Sequence, residues 1–186
     1  MTAITGIRTL KDLFERGCAQ PQALHAGWRT REGRIEGWST AELRGRVESL
    51  VGRINGAYGE ADWVPVRYLY RSYDQDTLAH LYREAAVGFV TPLRDGMNLV
   101  AKEFVAAQDA TNPGVLVLSK FCGAAERMPL AVQTNPYHAD GVAADLDCAL
   151  RMPLPDRVAR HAALRTNVWQ DTAAAWASSF LSDLRA

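Results

Sequence analysis

A chain of 186 residues in which 48% are hydrophobic and 23% are charged can bury a core and fits one globular domain rather than two. Lys plus Arg and Asp plus Glu are balanced at 21 each, with no block of like charges, so nucleic acid and an anionic membrane surface are excluded as partners on charge. The longest apolar runs, such as Gly114–Leu118, fall far short of the roughly 20 residues of a membrane span. The N-terminus has no signal-peptide apolar region, and a cytoplasmic protein with a small-molecule or protein partner is expected.

Cys18, Cys122 and Cys148 are odd in number and widely spaced, with no CxxC pair and no His at ligand spacing; they read as reduced structural thiols, and no metal is expected. Residues 17–34 carry only scattered apolar positions and suggest no element. From Thr40 to Tyr58 the residues Leu43, Val47, Leu50, Val51 and Ile54 recur at helical spacing, with Gly56 and Gly59 placed to stop the helix.

Val64–Tyr70 predicts a strand, and Asp74–Ala86 a helix capped by Asp74. Val87–Thr91 predicts a second strand, Pro92–Asn98 a turn and Leu99–Gln108 a helix. Val115–Ser119 and Ala131–Thr134 read as buried strands separated by the small-residue segment Cys122–Ala125, and Asp140–Leu150 and Pro155–Leu184 as closing helices. Short apolar strands alternating with helices imply an α/β fold, a doubly wound and mostly parallel Rossmann-like sheet whose ligands lie beyond the carboxyl ends of the strands.

The chemistry is therefore expected after Thr91, in Arg94–Glu103. Asp95, Gly96 and Asn98 suit a tight turn into a helix N-terminus, whose free N–H groups and positive dipole end fit a diphosphate. Asp95 or Asn98 acting only as a helix cap is the alternative. Glu103 lies one turn into the helix, where its carboxylate could accept from vicinal ribose hydroxyls; pairing with Lys102 or another neighbour is the alternative.

Three segments, Arg53–Gly59, Thr91–Gln108 and Asn112–Ser119, together closely resemble trehalose-6-phosphate synthases, with Asn135–Tyr137, Trp169 and Phe180 following in the expected order. The resemblance runs from about Ala41 to the C-terminus, leaving residues 1–40 as a poorly matched segment ahead of a sugar-nucleotide-binding domain at 41–186. It implies a C-terminal domain, incomplete here, of a GT-B glycosyltransferase with two Rossmann domains. Such enzymes transfer glucose with retention from UDP-glucose to glucose 6-phosphate, giving trehalose 6-phosphate, with no metal and no further cofactor.

By the same resemblance Asp95 contacts the donor glucose, and no residue is assigned as catalytic beyond that contact. The backbone of Gly96, Met97, Asn98, Leu99 and Val100 cradles the diphosphate and sugar, Ala101 and Lys102 continue the donor segment, and Glu103 holds the ribose. Tyr73 and Leu78 fall near the uridine, with ordinary core packing as their alternative.

The family's N-terminal domain, which supplies the glucose 6-phosphate pocket, has no counterpart in 186 residues. Its Arg and Lys motif for the leaving diphosphate has no match before Ala41. Three readings stay open: a fragment or relic of a synthase, one half of a split enzyme working with a separate N-terminal half, or a non-catalytic module that binds UDP, UDP-glucose or a full-length synthase. Apolar surface left uncovered by a missing domain would also favour a homo-oligomer.

Overall fold

The structure, a computed structural model, describes residues 24–29 and 35–185; Cys18 and the rest of the N-terminal segment lie outside them. The chain divides into two compact units, one ending at Arg71 and the other beginning at Ser72.

In the first unit β1 (Leu24–Arg29) and β2 (Ile35–Ser39) pair antiparallel, with Arg29 opposite Ile35 and an irregularity between Leu24 and Ala26. Nothing in the apolar spacing announced them. Helix α1 (Thr40–Tyr58) starts at a capping box: Ser39 Oγ accepts from the Glu42 N–H at 3.3 Å, and Glu42 Oε2 accepts from the Ser39 N–H at 2.8 Å. Of the two glycines expected to stop it, Gly59 does so, donating its N–H to Asn55 O, whereas Gly56 lies inside the helix.

The strand expected at Val64–Tyr70 does not form a ladder. Asn55 supplies the reason: its side-chain amide donates to Val66 O at 2.9 Å and its Oδ1 accepts from the Val66 N–H at 3.0 Å. One carboxamide thus satisfies both backbone groups of Val66, in the middle of the segment, which a neighbouring strand would otherwise have to pair.

In the second unit three parallel strands, β3 (Val87–Val90), β4 (Val115–Ser119) and β5 (Val132–Thr134), lie in chain order with β4 central. All five residues of β4 are buried, and their alternation divides the core. Leu116 and Leu118 pack with Ala101, Phe104 and Val105 of α3 (Leu99–Ala107), Ala124 and Ala125 of α4 (Ala124–Arg127) and Leu164 of α6 (Leu154–Gln170). Val115 and Val117 turn the other way, onto Ala149 of α5 (Ala139–Leu150). The sheet is therefore parallel and covered by helices on both faces, as its near-continuous apolar strands require.

Helix α2 (Gln75–Glu84) begins at Asp74, whose Oδ1 accepts from the Thr77 N–H at 2.7 Å, and packs on α3, with the rings of Tyr82 and Phe104 edge to face at 6.4 Å. Close packing of α3 on β3 depends on Gly88, since a Cβ there would stand 2.7 Å from the Phe104 ring. The closing helical segment is split by Asp171 and Thr172 into α6 and α7 (Ala173–Asp183), with Thr172 capping the latter. No helix among the described residues is long and apolar enough to cross a membrane.

Candidate functional site

The turn 91–98 leaves the carboxyl end of β3 and enters α3. Asp95 sits at its centre, backbone-paired with the loop that leaves β4: its N–H donates to Phe121 O at 3.3 Å and its carbonyl accepts from the Gly123 N–H at 3.1 Å. The Ala124 N–H donates to Met97 O at 2.9 Å. Gly123 permits this approach, because a Cβ at that position would lie 2.2 Å from Gly96 O. At Gly96 itself a Cβ would meet no protein atom within 4 Å, so the space over the turn is open.

Within the turn, Asp95 Oδ1 accepts from the Met97 N–H at 3.1 Å and Oδ2 from the Asn98 side-chain amide at 2.9 Å. These donors, the Met97 N–H first, hold the Asp95 carboxyl below its ordinary pKa, so it is a carboxylate at neutral pH with lone pairs left to accept from a ligand. Asn98 takes φ 72°, the one positive φ outside glycine among the described residues, and its Oδ1 caps α3 through the Ala101 N–H at 2.9 Å. Such a backbone costs on the order of 1 kcal/mol, which two side-chain hydrogen bonds of about 1 kcal/mol each offset.

The first-turn N–H groups of α3 then fall into two kinds. That of Ala101 is used by the Asn98 cap, whereas those of Leu99 and Val100 have no acceptor within the helix and stand at its positive end. Leu99, Val100 and Met97 are exposed, while the Ala101 side chain is fully buried in the core. Lys102 does not face the turn's ligand space as a free cation: its Nζ binds Asp171 Oδ2 at 2.5 Å, tying α3 to the α6–α7 junction. That pair also removes Lys102 as the partner of Glu103.

Glu103 opens instead onto a cleft of about 450 Å³ between α2 and α3, lined by Tyr73, Gln75, Leu78, Ala79, Tyr82 and Ala106 among others. The three residues proposed for nucleoside contacts, Tyr73, Leu78 and Glu103, thus share one cavity, although they come from segments about 30 residues apart. Tyr82 and Gln75 belong to the same cavity, and no motif in the sequence marks them for it. Burial, then the charge and hydrogen bonding of Glu103, push the Tyr82 phenol above its ordinary pKa, which makes it a protonated donor beside that carboxylate.

Cys122 lies under the turn, buried, its thiol donating to Ser119 O at 3.1 Å, and burial pushes its pKa up, with the Asp95 charge adding to the effect. That is a protonated packing residue. Among the described residues no group of three or more His, Cys, Asp and Glu gathers in a way that could hold a metal ion. The arrangement presents an acceptor carboxylate in a rigid turn, unpaired N–H donors at a helix end, and an amphipathic cleft closed by a second carboxylate.

Known proteins match this chain closely. Trehalose-6-phosphate synthase of Cronobacter sakazakii is 51% identical over 144 residues, 77% of this chain and 30% of that protein. The synthase of Burkholderia xenovorans, solved in complex with glucose-6-phosphate, superposes with a TM-score of 0.75 at 48% identity, over 78% of this chain and 32% of that one. The synthase from E. coli bound with UDP-2-fluoro glucose gives 0.74 at 50% identity, over 77% and 32%. The chain thus spans about a third of the length of these relatives. The sequence model of glycosyltransferase family 20 matches residues 30–186, starting earlier than the Ala41 boundary of the motif resemblance, and the chain belongs to that family.

Proposed function

We propose that this chain binds a UDP-sugar, UDP-glucose by its resemblance, and serves as the donor-binding part of glucosyl transfer to a phosphorylated acceptor. The observation that carries the reading is the continuity of the site. Asp95 and the free N–H groups of Leu99 and Val100 stand at the start of α3, and one turn further on Glu103 faces the cleft that also holds Tyr73 and Leu78. That order matches sugar, diphosphate, ribose and base laid along one helix. A relative bound to UDP-2-fluoro glucose and another bound to glucose-6-phosphate support the choice of donor and acceptor class.

On this reading the protein's own groups bind and orient the donor. Asp95 accepts from sugar hydroxyls, the end of α3 faces the diphosphate charge, and no metal ion or further cofactor is needed to hold it. By the family resemblance, acceptor binding falls to a domain outside the region matched here. Mixing this chain with a separately produced N-terminal half of a synthase, UDP-glucose and glucose 6-phosphate tests the catalytic part of the reading through release of UDP. Turnover above that of either half alone supports it; binding of UDP-glucose without turnover at saturating concentrations reduces the role to that of a UDP-sugar-binding module.

A further inference from the structure

Three loops meet at the carboxyl end of the parallel sheet: 91–98 after β3, 120–123 after β4 and 135–138 after β5. The backbone that holds Asp95 comes from the second of these, through the long 3.3 Å bond from the Asp95 N–H to Phe121 O. What fixes Phe121 therefore helps to fix the Asp95 backbone from which the carboxylate projects.

The Phe121 ring is 40% exposed, yet it is not free: the Tyr137 ring meets it edge to face at 5.5 Å and 70°, and Lys120 Nζ stands 5.6 Å from its centroid. Tyr137 is 67% exposed and equally engaged, with its hydroxyl 3.5 Å from Leu93 O and its N–H donating to Asn135 Oδ1 at 3.1 Å. The contacts close a circuit from Leu93 through Asp95 to Phe121, on to Tyr137 and back to Leu93. Two half-exposed rings bury too little surface to matter much for the core, but together they join all three loops. The N–H groups of Leu99 and Val100 depend on none of this, because α3 is seated by the Asn98 cap and by the buried Ala101, Phe104 and Val105.

We infer that Phe121 and Tyr137 act as positioning residues that hold the Asp95 turn in register for the sugar of the donor, and so set the preference for UDP-glucose over UDP. The inference rests on the UDP-sugar reading above and deepens it. An edge-to-face pair and a weak hydroxyl contact together are worth about one ordinary hydrogen bond, so losing them should cost about tenfold in affinity for the ligand that needs Asp95.

The test is calorimetric titration of wild type, Tyr137→Ala, Tyr137→Phe and Phe121→Leu with UDP and with UDP-glucose, each protein first checked by its melting curve. Tyr137→Ala and Phe121→Leu are expected to lose about tenfold toward UDP-glucose and less than about twofold toward UDP. Tyr137→Phe, which keeps the ring pair, should recover most of the difference. An unchanged UDP-glucose to UDP ratio in either folded variant, equal loss toward both ligands included, overturns the brace, as does a wild type that does not distinguish them; binding of UDP by the wild type leaves the donor-site reading standing in each case. A folded wild type that binds neither ligand overturns the donor-site reading and the brace with it.

Discussion

The side-chain amide of Asn98 donates to Asp95 Oδ2 at 2.9 Å while the Oδ1 of the same Asn98 caps helix α3. The position of the Asp95 carboxylate and that of the helix end are therefore coupled through one residue, held at φ 72°. Asn98→Ala loses both hydrogen bonds, the cap among them, and leaves at φ 72° a residue that tolerates that region less well than Asn, for an expected loss of about 2 kcal/mol. Asn98→Gly keeps the backbone and should lose about half as much. Denaturant unfolding of both measures the difference, and equal losses would show that φ contributes nothing.

Lys102 and Asp171 form a partly buried pair whose side chains are 17% and 25% exposed. The hydrogen bond from Lys102 is the main cause holding the Asp171 carboxyl below its usual value, with the charges of Lys102 and Arg127 adding to it. A depressed pKa stabilises the fold fully above the unfolded aspartate value, near 4, and that contribution disappears as pH falls through the lower folded value. Lys102→Met should therefore be less stable than wild type by about 1 kcal/mol at neutral pH. The gap should narrow as the pH drops below about 4. A pH series of melting temperatures checks it; a gap independent of pH would mean the pair contributes packing alone.

Gly123→Ala puts a methyl group into a space where a Cβ would meet Gly96 O at 2.2 Å. Backbone on backbone cannot give way by a rotamer change, so the 91–98 turn must shift, at a cost of about 1–3 kcal/mol. Because the shift moves Asp95, UDP-glucose affinity should fall as well. Chemical denaturation with parallel titration reads both, and a variant as stable as wild type would show that the turn is compliant.

The parts of this molecule that were legible in the sequence are those decided locally. The apolar run Val115–Ser119 predicts a buried strand, Asp74 announces the helix it caps, and the cap of α3, open between Asp95 and Asn98 in the sequence, is Asn98. At the Val64–Tyr70 strand, which does not form, Asn55, eleven residues before Val66, takes up both backbone groups of Val66, a contact that no periodicity encodes. The cleft was readable only through resemblance: Tyr73, Leu78 and Glu103 share it because α2 packs on α3, and Tyr82 and Gln75 went unnoticed beside them for the same reason. The Phe121–Tyr137 contact depends on strand order in the sheet and has no local signal.

The most direct test of the donor-site reading is calorimetric titration of the chain and of Glu103→Ala with UDP, with melting curves recorded alongside, since a ligand that binds the native state raises its stability. Glu103 is exposed and faces the cleft, so its removal should leave the fold intact. The account predicts micromolar binding to the wild type, a higher melting temperature with UDP, and loss of most of that affinity in Glu103→Ala. A folded wild type that binds no UDP, or equal binding by both proteins, would contradict it.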